Sequence, residues 1–180
     1  MMRSLMFSGA LFAALAFSGN ALAGDQYVDS TGFAASGYDV VAYFSKEQSA
    51  VGGGQPLATP GKASITTEWN GATWAFATEE NRDLFIADPE KYAPQYDGHC
   101  AYGAAVNEGG KVPGNPHLWR IVDGKLYLNI TSNVVGFWEE DIAGNISRAD
   151  DNWTRLEETV PASDREIPQG FDTSKAPIGG

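Results

Sequence analysis

The sequence predicts a small single domain of the α+β class, and three local patterns predict it. Asn70-Gly71 and Asp123-Gly124 each interrupt a stretch rich in aromatic and β-branched residues. Such pairs suit two-residue hairpin turns, in which both turn positions need φ > 0. From Ser132 onward, apolar residues recur every three or four positions at Val135, Trp138, Ile142, Ile146, Ala149, Trp153 and Leu156. That spacing is the stripe of a long amphipathic helix.

The chain opens with Met1-Met2-Arg3-Ser4, an apolar run over residues 5–17, and Ser18-Gly19-Asn20-Ala21-Leu22-Ala23. A basic start, a short apolar core and a small-residue cleavage site predict a secretory signal peptide over residues 1–23. The run is shorter than the roughly 20 apolar residues that span a bilayer. The domain is expected over residues 24–157, with a flexible tail over 158–180 that is rich in Pro, Gly, Asp and Ser. No repeats are evident.

Within the domain, Gly52-Gly53-Gly54-Gln55-Pro56 reads as a surface loop. The first hairpin is expected over residues 64–68 and 73–77. Thr78 then caps a helix whose first turn carries Glu79 and Glu80, where the helix dipole favours negative charge. Asp88 ends that helix and caps a second short one through Tyr92, with Pro89 at its first position. The second hairpin is expected over residues 118–122 and 125–130. Ser132 is the expected cap of the long helix, with Gly144 as the place for a kink. The five tryptophans, Trp69, Trp74, Trp119, Trp138 and Trp153, are expected to pack in the core rather than form a ligand platform.

The 180 residues carry 12 basic and 23 acidic side chains. Without the signal peptide and its Arg3, 11 basic residues face 23 acidic ones, a net charge of −12. Such a surface repels phosphate backbones and excludes nucleic acid as a partner. It attracts cations and basic partners. A metal ion or an exported protein is the expected partner, with no membrane association after cleavage and a periplasmic or secreted location.

The segment Glu68-Trp69-Asn70-Gly71-Ala72-Thr73-Trp74-Ala75-Phe76-Ala77, followed by Asn81, Leu84-Phe85 and Asp88-Pro89-Glu90-Lys91-Tyr92, resembles the YHS domain. So does Gly37-Tyr38-Asp39-Val40-Val41-Ala42-Tyr43-Phe44. With Gly98-His99-Cys100-Ala101-Tyr102-Gly103 and Lys125-Leu126-Tyr127-Leu128-Asn129 added, the chain resembles exported bacterial YHS-domain proteins over residues 36–156. The resemblance implies an α+β module associated with metals. It does not carry over the usual cysteine and methionine ligands, whose places are held by Ala42, Phe44, Ala77 and Asn81. The residues it does carry over are Cys100 and Tyr102, with His99 replacing a tyrosine.

Cys100 is the sole cysteine, and all three methionines lie in the expected signal peptide. The strong nitrogen and sulfur donors left for a metal are therefore Cys100, His99 and His117. A thiolate and two imidazoles suit copper or zinc, and Asp97 is placed to add a carboxylate. Unpaired cysteine is also among the most buried residue types, so an inert core thiol and a reactive one both stay open. Three functions follow: a metal-binding or metal-handling module, which the resemblance favours; a thiol-dependent enzyme using Cys100 with His99 or His117 as base; and a non-catalytic binding or scaffold domain.

Overall fold

The structure is a computed structural model that describes residues 25–162. The expected signal peptide and most of the expected tail lie outside the described residues. Among the described residues, two antiparallel hairpins and five α-helices make up the α+β fold.

The first hairpin pairs β1 (Lys62–Trp69) with β2 (Ala72–Phe76), and its turn holds Asn70 at φ 49° and Gly71 at φ 70°. Helix α1 (Glu79–Ala87) follows, with the Thr78 hydroxyl accepting from the Asn81 amide at 3.1 Å. Asp88 accepts from the Lys91 amide and caps α2 (Pro89–Tyr92). Next comes α3 (Ala101–Ala105), which was not anticipated: Cys100 sits at its N-cap. The second hairpin pairs β3 (Asn115–Val122) with β4 (Lys125–Asn129) through Asp123 at φ 49° and Gly124 at φ 74°.

The expected long helix is broken in two, α4 (Ser132–Glu139) and α5 (Ile142–Leu156). Its cap is Thr131, one residue before Ser132. The break falls at Asp141, whose carboxylate accepts from the Gly144 amide at 2.9 Å and starts a new helix. Competition from this side chain for the backbone donors, rather than the flexibility of Gly144, ends α4. The apolar stripe still faces inward. Trp138, Ala149 and Leu156 are buried, and Ile142, Ile146 and Trp153 pack against the same cluster.

The hairpin-and-helix unit is used twice. Asn70 and Asp123, Thr78 and Thr131, and Asp88 and Asp141 are each 53 positions apart and play the same roles in turn, cap and second cap. Asp88 (φ −155°, ψ 74°) and Asp141 (φ −151°, ψ 71°) share an uncommon backbone shape. Even the irregularity in each hairpin recurs, between Lys62 and Thr66 and between Asn115 and Trp119. Phe85 and Trp138 are the matching buried helix anchors. Upstream, Ala35-Ser36-Gly37 and Tyr96-Asp97-Gly98 form the same left-handed turn. Tyr38 then bridges Pro60 as His99 bridges Pro113. Gly61 and Gly114 are matching close approaches, where an added Cβ would strike the carbonyl oxygens of Gly37 and Gly98. The absence of repeats at the level of residue identity therefore conceals a structural repeat.

Trp74, Phe76, Phe85, Leu126 and Leu128 belong to one core that draws on both hairpins. A second cluster under α5 holds Tyr96, Ala101, Ala104, Tyr127 and Trp138. The units are tied by the Tyr43 hydroxyl, which donates to the Pro116 carbonyl at 2.7 Å, and by the Trp119 indole, which donates to the Pro56 carbonyl at 2.8 Å. Among the described residues, no helix is long and apolar enough to cross a membrane.

Candidate functional site

Cys100 is 1% exposed. Its Sγ accepts from the Gly103 amide at 3.4 Å and faces the Asn129 side-chain oxygen at 3.5 Å, while that oxygen also accepts from the Tyr102 amide at 3.1 Å. Burial pushes the Cys100 thiol up, against the opposing pull of the Gly103, Ile130 and Tyr102 amides. The raised pKa disfavours the thiolate, the nucleophilic and metal-binding form.

His99 has no exposed surface. Its Nδ1–H donates to the Tyr96 carbonyl at 2.8 Å, and its Nε2 accepts from the Ala162 amide at 3.1 Å. The ring lies between Tyr27 and Trp153, at centroid distances of 5.5 and 5.7 Å. Burial lowers its pKa to about 4, partly opposed by the bond to Tyr96 and reinforced by the Lys111 charge. Both ring nitrogens of this neutral imidazole are engaged with backbone. Ala162 belongs to the expected tail, whose start is tied down here. Lys111 also donates to the Thr159 carbonyl at 2.7 Å.

His117 lies half-buried on β3. Its Nδ1 accepts from the Ala58 amide at 3.2 Å, and its Nε2–H donates to the Tyr38 hydroxyl at 3.1 Å. Desolvation lowers its pKa. The three expected donors therefore each face different protein partners, and as placed they do not fit a shared ion. Among the described residues, no group of three or more His, Cys, Asp or Glu side chains is arranged to hold a metal.

The structural repeat explains the Cys100 seat. Its counterpart is Asp39, fully buried at the same place in the first unit. The Asp39 carboxylate accepts from the Val41, Ala42 and Ala77 amides and from the Asn81 side chain at 2.7 to 3.2 Å. Val41, Ala42 and Ala77 correspond to Tyr102, Gly103 and Ile130. Cys100 caps the helix that follows it, Asp39 holds the Val41 and Ala42 amides at the start of the turn over Ala42–Ser45, and each also reaches its own hairpin end through Asn129 or Ala77.

Two clefts complete the picture. One, of about 170 Å³, is apolar and lies between residues 52–55 and α4, with His117, Trp119 and Val135 on its walls. A buried ion pair holds its loop: Arg120 pairs with Glu139 and donates to the Ser49 and Ala50 carbonyls, while Glu139 accepts from the Gly52 amide at 2.7 Å. The other, of about 650 Å³, mixes charged and apolar side chains and includes Trp69 and Trp153, which are not fully packed in the core as Trp74, Trp119 and Trp138 are. Asp97 lines it, with burial raising its carboxyl pKa to about 7 against the pull of Lys111. Asp39, Asn129, the Arg120–Glu139 pair and the two clefts escape a search for ligand-type residues. Acidic and amide side chains are too common for their roles to stand out by type. No protein-family model matches the chain, and no curated protein or solved structure matches it either.

Proposed function

We propose that the chain is an exported binding domain, built as a doubled hairpin-and-helix scaffold, in which Cys100, His99 and His117 serve structure rather than chemistry. The observation that carries this reading is the equivalence of Cys100 and Asp39. A position filled by a buried, hydrogen-bonded carboxylate in the first unit and by a buried thiol facing the equivalent amides in the second is a folding position. Export is supported by the basic-then-apolar start of the sequence and by the resemblance to exported YHS-domain proteins. The acidic surface favours cationic or basic partners.

The test is the reactivity of Cys100 towards an aromatic disulfide reagent. The folded protein is expected to react at least about a hundredfold more slowly than the same protein in denaturant, because the sulfur is buried and its thiolate disfavoured. Rapid stoichiometric reaction of the folded protein would overturn the reading and return the thiol-dependent alternative. Copper or zinc held through Cys100 remains the competing proposal and is decided by metal titration.

A further inference from the structure

His99 is closed in by the chain's own C-terminal segment. Just past α5, Lys111 Nζ donates to the Glu157 carbonyl at 3.1 Å and to the Thr159 carbonyl at 2.7 Å. Val160 then stands 84% exposed, and the Ala162 amide returns to donate to His99 Nε2 at 3.1 Å. These bonds make residues 157–162 a strap fastened at two points, an ammonium group and an imidazole.

The imidazole fastening has one working protonation state. The Ala162 N–H needs an acceptor, so Nε2 carries no proton, and the ring's single proton sits on Nδ1, where it meets the Tyr96 carbonyl at 2.8 Å. A second proton on Nε2 turns that acceptor into a donor facing another donor, and the bond to Ala162 is lost. The fold itself does not ask for an imidazole here. Tyr38 holds the matching position in the first unit, bridging Pro60 as His99 bridges Pro113. The uncharged rings of Tyr27 and Trp153 flank His99. Charged groups surround this seat: Asp25 from the N-terminal segment, Asp97 from the preceding turn, Lys111 from the stretch before β3, Asp150 on α5 and Glu157 at its end. Of these, Lys111 acts on His99 directly, and its charge opposes the second proton.

We propose that residues 157–162 are an acid-released strap: protonation of His99 at Nε2 detaches Ala162 and frees the chain beyond Thr159, with the Lys111 bonds left in place. Burial holds the pKa of the closed ring down to about 4, whereas an uncovered ring titrates towards its ordinary 6.5. The open form therefore binds the proton more tightly. The ratio of open to closed strap rises as pH falls from about 6.5 to 4, by up to about a hundredfold. The device adds a response to acid to the structural role of His99 and goes beyond the reading of the chain as a binding domain.

The experiment follows the protein of residues 24–180 by NMR from pH 7 to 4. It reads the hydrogen-exchange protection of the Ala162 amide, corrected for the intrinsic pH dependence of exchange, beside the amides of β4. A loss of Ala162 protection of about tenfold or more is expected while β4 stays protected, with the midpoint of the His99 ring signals. His99→Gln offers an amide oxygen in place of Nε2 and no titrating ring, so its Ala162 protection should stay constant over this range. Asp97 also gains a proton in this window, and Asp97→Asn should leave the release in place. Should His99→Gln fail to fold, Ala162→Pro carries the test. It deletes the N–H that favours the neutral ring, so His99 should titrate at a higher pH than in wild type. Constant Ala162 protection from pH 7 to 4 overturns the proposal, as does its loss together with that of β4, which is global unfolding. An unchanged loss in His99→Gln, disappearance of the release in Asp97→Asn, or an unshifted His99 in Ala162→Pro overturns it equally. Each outcome leaves the reading of Cys100 untouched, because that reading fails only by thiol reaction or metal binding.

Discussion

Asp39 in the first unit and Cys100 in the second meet equivalent backbone amides, Val41, Ala42 and Ala77 facing the carboxylate and Tyr102, Gly103 and Ile130 surrounding the sulfur. The energies of the two seats differ. Replacing Asp39 with Ala removes a four-bond acceptor and leaves buried donors unpaired, at an expected cost of about 3 kcal/mol or more. Cys100→Ala removes a weak acceptor and a small volume, at about 1 kcal/mol. Chemical denaturation of both variants measures the two costs, and a larger loss for Cys100→Ala would break the equivalence.

The Arg120–Glu139 pair, with both side chains 6% exposed, anchors the loop over the apolar cleft. Glu139→Ala leaves a buried guanidinium without its counter-charge, and about 3–5 kcal/mol of stability should be lost. Glu140→Ala, next along the chain and outside this pair, serves as the reference, with a change within about 0.5 kcal/mol expected. Similar behaviour of the two variants in a thermal melt would mean that the pair is solvated.

The hairpins, their turns and the first helix were legible in the sequence because Asn-Gly, Asp-Gly, Thr78 and Asp88-Pro89 act locally. The break at Asp141 was not, although its signal was present. Gly71, Thr78 and Asp88 keep the same spacing as Gly124, Thr131 and Asp141, so comparing the two spacings reveals both the break and the repeat. The fate of the candidate site was not legible for a different reason. Residue type nominates Cys100, His99 and His117, but burial and bonds to distant groups, the Ala162 and Ala58 amides and the Asn129 side chain, decide their chemistry. Those contacts are set by tertiary packing. The tryptophans divide in the same way, because only packing distinguishes the buried Trp138 from the half-buried Trp153.

That division sets a third expectation. Trp138→Ala removes a side chain that is 1% exposed and should cost about 3–5 kcal/mol. Trp153 packs on Tyr96 and His99 but also borders the cleft, so its replacement by Ala should cost about 2 kcal/mol. The order of the two losses in urea titrations is the readout. A larger loss at Trp153 would place it in the core.

Two groups give stability opposite dependences on pH. His99 has its pKa lowered to about 4, so the unfolded chain binds the extra proton first as pH falls below about 6.5. Stability from His99 is therefore lost between about pH 6.5 and 4, by about 3 kcal/mol in all. Asp97 has its pKa raised to about 7, so the folded chain holds its proton longer and stability falls as pH rises from about 4 to 7. The two trends oppose each other over one window. Asp97→Asn, which tolerates the left-handed backbone, should unmask the His99 loss on acidification. If Asp97→Asn and wild type have the same stability profile from pH 4 to 7, the Asp97 assignment is wrong.

The most direct measurement of the central claim is a competition titration of the reduced protein of residues 24–180 with Cu(I), and in parallel with Zn(II), beside Cys100→Ser. The account predicts no stoichiometric uptake that depends on Cys100, because its thiol is buried and the imidazole nitrogens of His99 are bonded to backbone. One equivalent of tightly held metal in wild type, lost in Cys100→Ser and weakened by His117→Ala, would contradict it and establish the chain as a metal-binding module.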